Sequence, residues 1–406
     1  MASEILEKAR CIRNYLVECK RRIHRHPELG MHEIETAAFV RSELKKLGVE
    51  LQPIDTRVGV VGIVRGRKDA PEDAPGKVIA LRADMDALPI QEEAAVPDAS
   101  EVAGVMHACG HDAHTAMLLG AAKILTSMRD RFTGVVKLIF QPAEETLGGS
   151  ELMIRLGCLE NPTVDVILGQ HGIAEFATGD IAFREGPSMA SSDTFSVTVK
   201  GVSGHGAYPH NSGADALLAS ANCVMSLQSL ITRQFNAVDP VVLSICTLHG
   251  GTAKNIIPAE VTFGGSIRCQ SPTSRSRIRD MMDRMIGSIV AGYNCTHELD
   301  YTYGVPPLVN DPDVVHAMRS AAAKLLGEEH VKTMSQARMG SEDYACYCEK
   351  IPASCFARLG IRQEGKEPTR FHSPTFVFDE EALPVGAGFF VQAVLELNGA
   401  PIAPPL

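Results

Sequence analysis

Three short segments made almost wholly of apolar residues constrain the fold more than any other feature of this sequence. They are KVIALRADM at 77–85, VVKLIF at 135–140 and DVILGQ at 165–170. A strand that is apolar on both faces must be covered on both sides, which is typical of a parallel sheet between helices. Helical patterns lie among these segments, including one that ends at Gly48 and one from Asp112 to about Met128. The sequence therefore predicts an α/β architecture with a mostly parallel central sheet.

The pattern changes near Gly186, where DTFSVTVKG at 193–201 alternates apolar and polar residues like a strand with one exposed face. A helical stretch at about 213–234, strands at 240–251 and 259–269, a helix at about 274–291 and a strand at 296–304 follow. This β-α-β-β-α-β order predicts a split-βαβ, α+β domain inserted into the larger one. We expect domain segments at 1–185, 186–304 and 305–406, the outer two forming one domain.

Composition restricts the partners and the compartment. The chain has 406 residues and a formal charge of −10, without an extended run of Lys and Arg, which argues against nucleic acid as a partner and favours a small-molecule substrate. No apolar run reaches the roughly 20 residues of a membrane span. The N-terminal 29 residues have the spacing of a folded helix, not of a secretory signal. Eleven scattered cysteines favour free thiols, so we expect a cytoplasmic protein that does not bind membranes.

Polar residues that can bind metals follow the predicted strands, where ligands bind in open α/β sheets. Five segments contribute them: Asp84 and Asp86; Cys109 and His111 in MHACGHDAH at 106–114; Glu144 and Glu145; His171; and His372 in FHSP. Each has an ordinary structural explanation, since Asp caps helices, paired Glu forms solvated turns and a lone strand-end His is usually structural. Such explanations would have to hold independently at all five places.

Imidazole, thiolate and carboxylate together suit zinc, manganese, cobalt or nickel, and two such ions about 3.5–4 Å apart can activate one water. Cys109, His111, His171, His372 and one of the two glutamates supply enough ligands, which leaves the other glutamate as a base. Two alternatives stay open at this point. One is a metal-free hydrolase with Cys109 as nucleophile beside His111 or His114, and the other is a non-catalytic metal-binding or peptide-binding module.

The chain also resembles the M20 metallopeptidases, in particular the amidohydrolase branch with aminoacylases, hippurate hydrolases and hydrolases of auxin–amino acid conjugates. The matching segments run in family order over nearly the whole chain: RRIHRHPELG at 21–30, LRADMDALPI at 81–90, MHACGHDAHTAMLLGAA at 106–122, FQPAEE at 140–145, GQHG at 169–172, GVSGHGAYPH at 201–210, GGTAKNIIPAE at 250–260 and FHSP at 371–374. The resemblance implies a zinc-peptidase-like catalytic domain and an inserted ferredoxin-like lid.

The resemblance also implies roles for single residues. The ligands of two divalent ions would be Cys109, His111, Glu145, His171 and His372. Glu144 would be the general base, taking a proton from water held between the ions. The wider superfamily has His-x-Asp where this chain has Asp84-x-Asp86, so we assign no metal to Asp84 and expect Asp86 to orient a ligand histidine.

In the lid, the resemblance implies that His205 contacts the substrate and stabilises the oxyanion, often across a dimer, and that Asn255 contacts the substrate. Arg268 is a candidate for binding the substrate carboxylate, although an exposed strand Arg explains it equally well. The expected activity is hydrolysis of N-acyl or N-aroyl amino acids by a homodimer or homotetramer formed through the lid. A dipeptidase or carboxypeptidase on the same fold is the alternative.

Overall fold

A computed structural model describes residues 3–66 and 76–398 of the chain. The chain divides into two compact units. Unit 1 comprises Met1–Gly186, Val309–Gln336 and Cys346–Leu406, and unit 2 comprises Pro187–Leu308 and Ala337–Ala345. The return of the chain to unit 2 at 337–345 has no counterpart in the predicted domain segments, whose boundaries stay a prediction.

The described residues contain sixteen strands, numbered in chain order: β1 (Glu50–Leu51), β2 (Val60–Arg65), β3 (Val78–Asp84), β4 (Val135–Gln141), β5 (Val166–Ala177), β6 (Ile181–Phe183), β7 (Gly186–Met189), β8 (Asp193–Lys200), β9 (Gly204–His205), β10 (Val241–Gly250), β11 (Ile256–Ile257), β12 (Glu260–Cys269), β13 (Thr296–Thr302), β14 (Leu308–Asn310), β15 (Val331–Thr333) and β16 (Ser354–Arg362).

The same residues contain ten α-helices: α1 (Glu4–Cys11), α2 (Arg13–Arg25), α3 (Ile34–Lys46), α4 (His111–Thr126), α5 (Gly149–Arg155), α6 (Ala216–Gln234), α7 (Pro272–Ala291), α8 (Pro312–Leu326), α9 (Ala345–Lys350) and α10 (Ala382–Leu397). Single 3-10 turns occur at Arg129–Arg131, Pro209–Asn211 and Glu328–His330. The N-terminal stretch that was predicted as one helix is therefore two, α1 and α2, because the helix is interrupted at Ile12.

Unit 1 is built on an eight-stranded sheet in the order β1-β2-β4-β3-β5-β16-β6-β15. Its four central strands, β4, β3, β5 and β16, are mutually parallel, and antiparallel pairs occur only towards the two edges. The three apolar segments of the sequence form β3, β4 and β5 at its centre. The predicted α/β fold with a mostly parallel sheet is confirmed.

Two cations are buried inside these apolar strands. Arg82 of β3 donates to Gln141 Oε1 at 2.9 Å and to Asp84 Oδ2 at 2.6 Å. Lys137 of β4 donates to the carbonyl oxygens of Glu160 and Pro162 at 2.5 and 3.2 Å. Since a buried charge is costly unless it is paired and hydrogen-bonded, both cations are tolerated only because of these partners.

Helices α4 and α10 pack against each other and are apolar nearly all round, as expected of helices in the middle of a core. Gly120 lets α2 approach α4, because a Cβ there would lie 2.3 Å from Leu16 Cδ2. The first turn of α4 is the exception to its apolar surface. It carries His111, Asp112 and His114, all of them buried.

Unit 2 has an antiparallel sheet in the order β10-β12-β8-β13, with α6 and α7 packed on it around a separate apolar core. The chain order β8-α6-β10-β12-α7-β13 is the predicted ferredoxin-like arrangement. A small ribbon of β9 and β11 also belongs to this unit. Within the described ranges of both units, no helix combines the length and apolarity needed to cross a bilayer.

Candidate metal centre

Cys109 and His111 lie on either side of Gly110, the residue just before α4. Gly110 is the N-cap of this helix and has a φ of 88°, in the left-handed region. A Cβ at this position would lie 2.8 Å from the ring of Phe378, so both backbone conformation and space favour glycine here. This sharp turn carries the chain from Cys109 into the helix and leaves both Cys109 and His111 buried.

Glu144 and Glu145 lie in the loop after β4, and carboxylates from two distant segments hold this loop. Ala143 has a φ of 54°, and its N–H donates to Glu33 Oε1 at 2.7 Å. The N–H of Glu145 donates to Asp86 Oδ2 at 2.9 Å. These two hydrogen bonds therefore hold the backbone of the glutamate pair in place.

The side chains of the five predicted ligands lie close together in unit 1. Cys109 Sγ is 3.4 Å from His171 Nε2, and His372 Nε2 is 3.2 Å from Glu145 Oε1. His111 Nε2 is 3.9 Å from Glu145 Oε1. We call these five residues the Cys109 cluster.

Three overlapping groups of donor atoms can be drawn from the Cys109 cluster and Glu144, each with its atoms within 4.8 Å of one another. They are Cys109, His111 and His171; Cys109, Glu145 and His372; and His111, Glu144 and Glu145. Every pair of these groups shares one donor residue: Cys109 is in the first two, Glu145 in the last two, and His111 in the first and third. This donor set suits zinc and its neighbours among the transition metals.

His111 has the hydrogen bonding expected of a metal ligand. Its Nδ1 faces two acceptors, the Asp86 carbonyl at 2.9 Å and Asp86 Oδ1 at 3.1 Å, so Nδ1 carries the proton. Its Nε2 is buried and has no hydrogen-bond partner among the residues that the structure describes. Metal-binding histidines commonly donate their other N–H to a carboxylate or carbonyl in this way. The residues therefore fit a cation at Nε2.

The electrostatics of the cluster without a cation favour protons on three of the predicted ligands, Cys109, His111 and His372. Burial raises the pKa of the Cys109 thiol above its ordinary value. Burial opposes the charged form of His111, but Asp84 and Cys109 outweigh it and raise the pKa of this imidazole. The hydrogen bond to Glu145 raises the pKa of His372. Ligand protons must leave when a metal binds, so metal affinity will increase with pH.

Asp86 contacts the predicted ligand His111 with one carboxylate oxygen and accepts from the backbone N–H of Glu145 with the other. Asp84 also lies near His111, at 3.8 Å from Nε2. Its two oxygens, however, bind Arg82 at 2.6 Å and His114 Nδ1 at 2.7 Å. Burial works against ionisation of Asp84, yet His111, His114 and Arg82 together hold its pKa well below the usual range.

The other three predicted site residues lie in unit 2. His205 is exposed on β9, and its Nδ1 accepts from the N–H of Ala207 at 3.0 Å. Asn255 is close by, since its carbonyl accepts from the Gly206 N–H at 2.9 Å. Arg268 lies near the end of β12 and donates to Ser341 Oγ at 3.1 Å. The structure thus brings His205 and Asn255 together and gives Arg268 a hydrogen-bond partner in its own unit.

Sequence reasoning missed several residues that support the Cys109 cluster. Glu33 holds the Ala143 N–H, and His114 lies between Asp84 and Gly172. His24 Nδ1 lies 2.8 Å from Asp112 Oδ2 in the first turn of α4. His24 lies in the segment RRIHRHPELG and Glu33 lies just after it, and the sequence alone indicates no role for either residue. Their partners are 88 and 110 positions away, so no local pattern could reveal the contacts.

Comparison with known proteins places the chain in a family. Residues 80–396 match the sequence profile described as Peptidase family M20/M25/M40. The chain belongs to this peptidase family. The matched range contains all ten residues that the sequence suggested as site residues.

Three relatives of this M20 chain show how wide the family's named activities are. A thermostable carboxypeptidase 2 of Saccharolobus solfataricus is 39% identical, covering 93% of this chain and 93% of that one. An IAA-amino acid hydrolase ILR1-like 4 of Arabidopsis thaliana is 40% identical, covering 92% of this chain and 83% of that one. An N-acetylcysteine deacetylase of Bacillus subtilis is 37% identical, covering 94% and 97%.

A solved structure of an M20 protein has the same fold as this chain. The Bacillus subtilis YXEP protein, described as a dinuclear metal binding peptidase from the M20 family, superposes with a TM-score of 0.82. It is 35% identical, and the match covers 95% of this chain and 98% of that one. The predicted resemblance to M20 metallopeptidases is confirmed, and the chain is a hydrolase acting on amide bonds.

Proposed function

We propose that this M20 hydrolase cleaves the amide bond of N-acyl amino acids to a carboxylate and a free amino acid. The observation that carries the proposal is the arrangement around Cys109, in which two donor groups share one thiolate. Glu144 lies within 4.8 Å of donors on His111 and Glu145 but belongs to neither group that contains Cys109. The relatives named for IAA–amino acid conjugates and N-acetylcysteine support this substrate class.

The Cys109 cluster would hold two divalent cations, which we propose to be zinc, manganese, cobalt or nickel. When bound, such cations polarise an amide carbonyl and lower the pKa of water. Glu144 takes a proton from the attacking water and gives it to the leaving amine, which one carboxylate can do in turn. Cys109, His111, Glu145, His171 and His372 orient the reacting groups, with Asp86 fixing His111.

The residues of unit 2 keep the roles that the family resemblance implies. We propose that His205 stabilises the oxyanion and that Asn255 and Arg268 contact the substrate. We also propose a homodimer or homotetramer formed through unit 2. In support, β10 is an edge strand of its sheet, and Val242 and Leu248 on it are exposed. Light scattering that gives the mass of a single chain, 43.6 kDa, would contradict this assembly.

We propose a cytoplasmic location because the eleven cysteines are present as thiols, nine of them buried, as expected where thiols stay reduced. Fluorescence microscopy and cell fractionation of the tagged full-length chain test this. Recovery of the protein in an exported fraction contradicts it.

A second activity, removal of the C-terminal residue of peptides, is favoured by the 39% identity to a thermostable carboxypeptidase. A panel of acetyl, benzoyl and indole-acetyl amino acids beside matched dipeptides separates the two activities. Each substrate is assayed after chelation and after return of zinc, manganese, cobalt or nickel. We expect metal-dependent release of amino acid from the N-acyl compounds, with higher kcat/KM than from dipeptides. The reverse ranking supports the carboxypeptidase, and metal-independent cleavage contradicts both.

A further inference from the structure

His114 lies between two fixed partners that together determine its proton position. The backbone N–H of Gly172 donates to His114 Nε2 at 3.0 Å, so this nitrogen is an acceptor. The ring proton must then be on Nδ1, which lies 2.7 Å from Asp84 Oδ1. Asp84 is anchored in turn by Arg82, which donates to its other oxygen. All of these side chains are buried.

Gly172 connects this arrangement to a predicted metal ligand. Its carbonyl accepts from His171 Nδ1 at 2.8 Å, which leaves His171 Nε2 without a proton and 3.4 Å from Cys109 Sγ. Gly172 is therefore held by an imidazole at its N–H and by another at its carbonyl. His114 and His171 are thus hydrogen-bonded to the same residue, His114 to its N–H and His171 to its carbonyl.

The sheet explains why the Gly172 N–H is free to bind a side chain. β3 pairs with β5 only as far as Arg82 opposite Gly169, so β5 extends beyond its neighbour on that side. On the other side, β16 continues to pair with β5 through Gly172. His114 of α4 takes the place of the missing strand as an acceptor for the Gly172 N–H.

We propose that Asp84 and His114 act as a positioning relay, which through Gly172 fixes the tautomer and ring orientation of the metal-binding His171. The inference rests on the proposed metal centre. It gives a task to Asp84 and His114, which have no role in the activity described above. Hydrogen-bonded residues behind metal ligands commonly raise metal affinity in this manner.

The alternative that His114 is itself a ligand fails on hydrogen bonding, and for Asp84 a neighbouring charge opposes it. The donor atoms of both residues and that of His111 do lie within 4.8 Å of one another. Both nitrogens of His114 are already used, by Asp84 and by Gly172. A carboxylate oxygen can accept a hydrogen bond and still bind a cation, but Asp84 Oδ2 lies 2.6 Å from the Arg82 guanidinium, whose charge repels a second cation.

Two substitutions at position 114 separate the halves of the relay. His114→Asn keeps a donor near the place of Nδ1 for Asp84 but offers no acceptor to Gly172. His114→Gln reaches the place of Nε2 with an acceptor and loses the donor to Asp84. His107→Gln is the matched control, because His107 is equally buried in the same segment and its nitrogens have no hydrogen-bond partner among the described residues.

Each protein is first stripped of metal by chelation and is then titrated calorimetrically with Mn²⁺ and with Co²⁺. The Co²⁺ absorption spectrum of the loaded form and the melting temperature of the metal-free form are measured as well. We expect His114→Asn to weaken the tighter site by about 10–100-fold and to shift the cobalt spectrum. His114→Gln should recover part of this affinity, and His107→Gln should bind like the wild type. A His114→Asn protein that melts lower but binds metal like the wild type overturns the relay.

The wild-type protein provides a test that needs no variant. Histidine-selective ¹⁵N spectra of the metal-free protein should show His114 and His171 both with the proton on Nδ1. An Nε2–H signal from either ring overturns the relay even if metal binding is normal. Failure of the wild type to bind two cations overturns the proposed metal centre as well, which distinguishes that outcome from failure of the relay alone.

Discussion

The two halves of the Cys109 cluster differ in how they are supported. Cys109, His111 and His171 form a buried half, at most 8% exposed, in which each histidine has its Nδ1 engaged by a carbonyl or carboxylate. Glu145 and His372 form the more open half, in which the Glu145 side chain is 12% exposed and the His372 side chain 52%. The ionic partner of His372 among the described residues is Glu145.

This difference shows where the geometry of the centre is fixed in advance. The histidine nitrogens of the buried half are directed by Asp86 and by Gly172, so a cation that binds there would find them already oriented. In the open half, His372 sits on a backbone with a φ of 56° and is attached by its N–H to the Ala108 carbonyl at 2.9 Å. We therefore expect the buried half to determine affinity and the open half to admit substrate, solvent and protons.

The largest effect should come from Glu144→Gln, which separates chemistry from metal binding in both halves. We expect kcat to fall by about 10²–10⁴-fold, the range for loss of a general acid–base group. The reason is that the side-chain amide of glutamine cannot accept the proton of the attacking water. Metal content, measured by atomic emission, should stay at the wild-type value. Glu145→Gln is the control, since it should lose metal together with activity. Retained turnover in Glu144→Gln would show that Glu144 is not the general base.

A direct comparison of the halves pairs Cys109→Ser with His372→Asn. Cys109→Ser removes the donor common to two groups, so we expect both cations to bind more weakly, by more than the roughly 10–100-fold typical of a supporting residue. His372→Asn should weaken one cation and leave the other near the wild-type affinity. Titration calorimetry gives both constants. Equal losses in the two variants would mean that the halves are not separable.

Sequence reasoning grouped the residues of the Cys109 cluster partly through strand ends. Glu145 does follow β4, whereas His171, which was expected to follow its strand, lies within β5. The segments that form β3, β4 and β5 are apolar and short, and the carboxyl ends of parallel strands place the residues after them at one edge of the sheet. The same patterns gave the six main elements of unit 2, whose core follows from alternating and helical spacing.

The supporting residues were beyond such reasoning for a physical reason. Arg82 and Lys137 break the apolar pattern of their strands, and their partners depend on neighbouring strands and on a loop after α5. Glu33, at the N-cap of α3, looks like an ordinary helix-entry residue. Its acceptor role depends on the distant Ala143 taking a left-handed φ. Pairings of this kind are set by tertiary packing, which a single sequence does not display.

A smaller effect concerns stability beneath the buried half, where His24 supports the first turn of α4 through Asp112. Burial opposes the charge on His24, but Asp112 and Glu92 outweigh it and raise its pKa to about 9. A raised folded pKa stabilises the protein fully below about pH 6.5, the unfolded value, and this contribution is lost as pH rises to 9. Chemical denaturation of the chelated protein should show a loss on the order of 3 kcal/mol across this window.

His24→Gln is the matched variant for this titration. Glu33, whose pKa burial raises to about 8, titrates in the same direction in both proteins, so the difference between their pH profiles isolates His24. We expect the variant to be less stable than the wild type at pH 6 and to approach it at pH 9. A constant difference in the free energy of unfolding over this range contradicts a charged His24.

The smallest effect is kinetic and concerns the thiol at the centre of the buried half. Cys11 and Cys246 are exposed, so a Cys11→Ser, Cys246→Ser background is needed to observe Cys109 with iodoacetamide. Burial raises the pKa of the Cys109 thiol, and the thiolate is the reactive form, so alkylation of the metal-free protein should be slow. Bound cations should slow it further by occupying the sulfur.

Mass spectrometry locates the label and metal analysis follows the bound ions. We expect the ions to be lost in proportion to labelling at Cys109. Inactivation by this label with both ions retained would instead favour Cys109 as a nucleophile, since only then does the thiol act without holding metal.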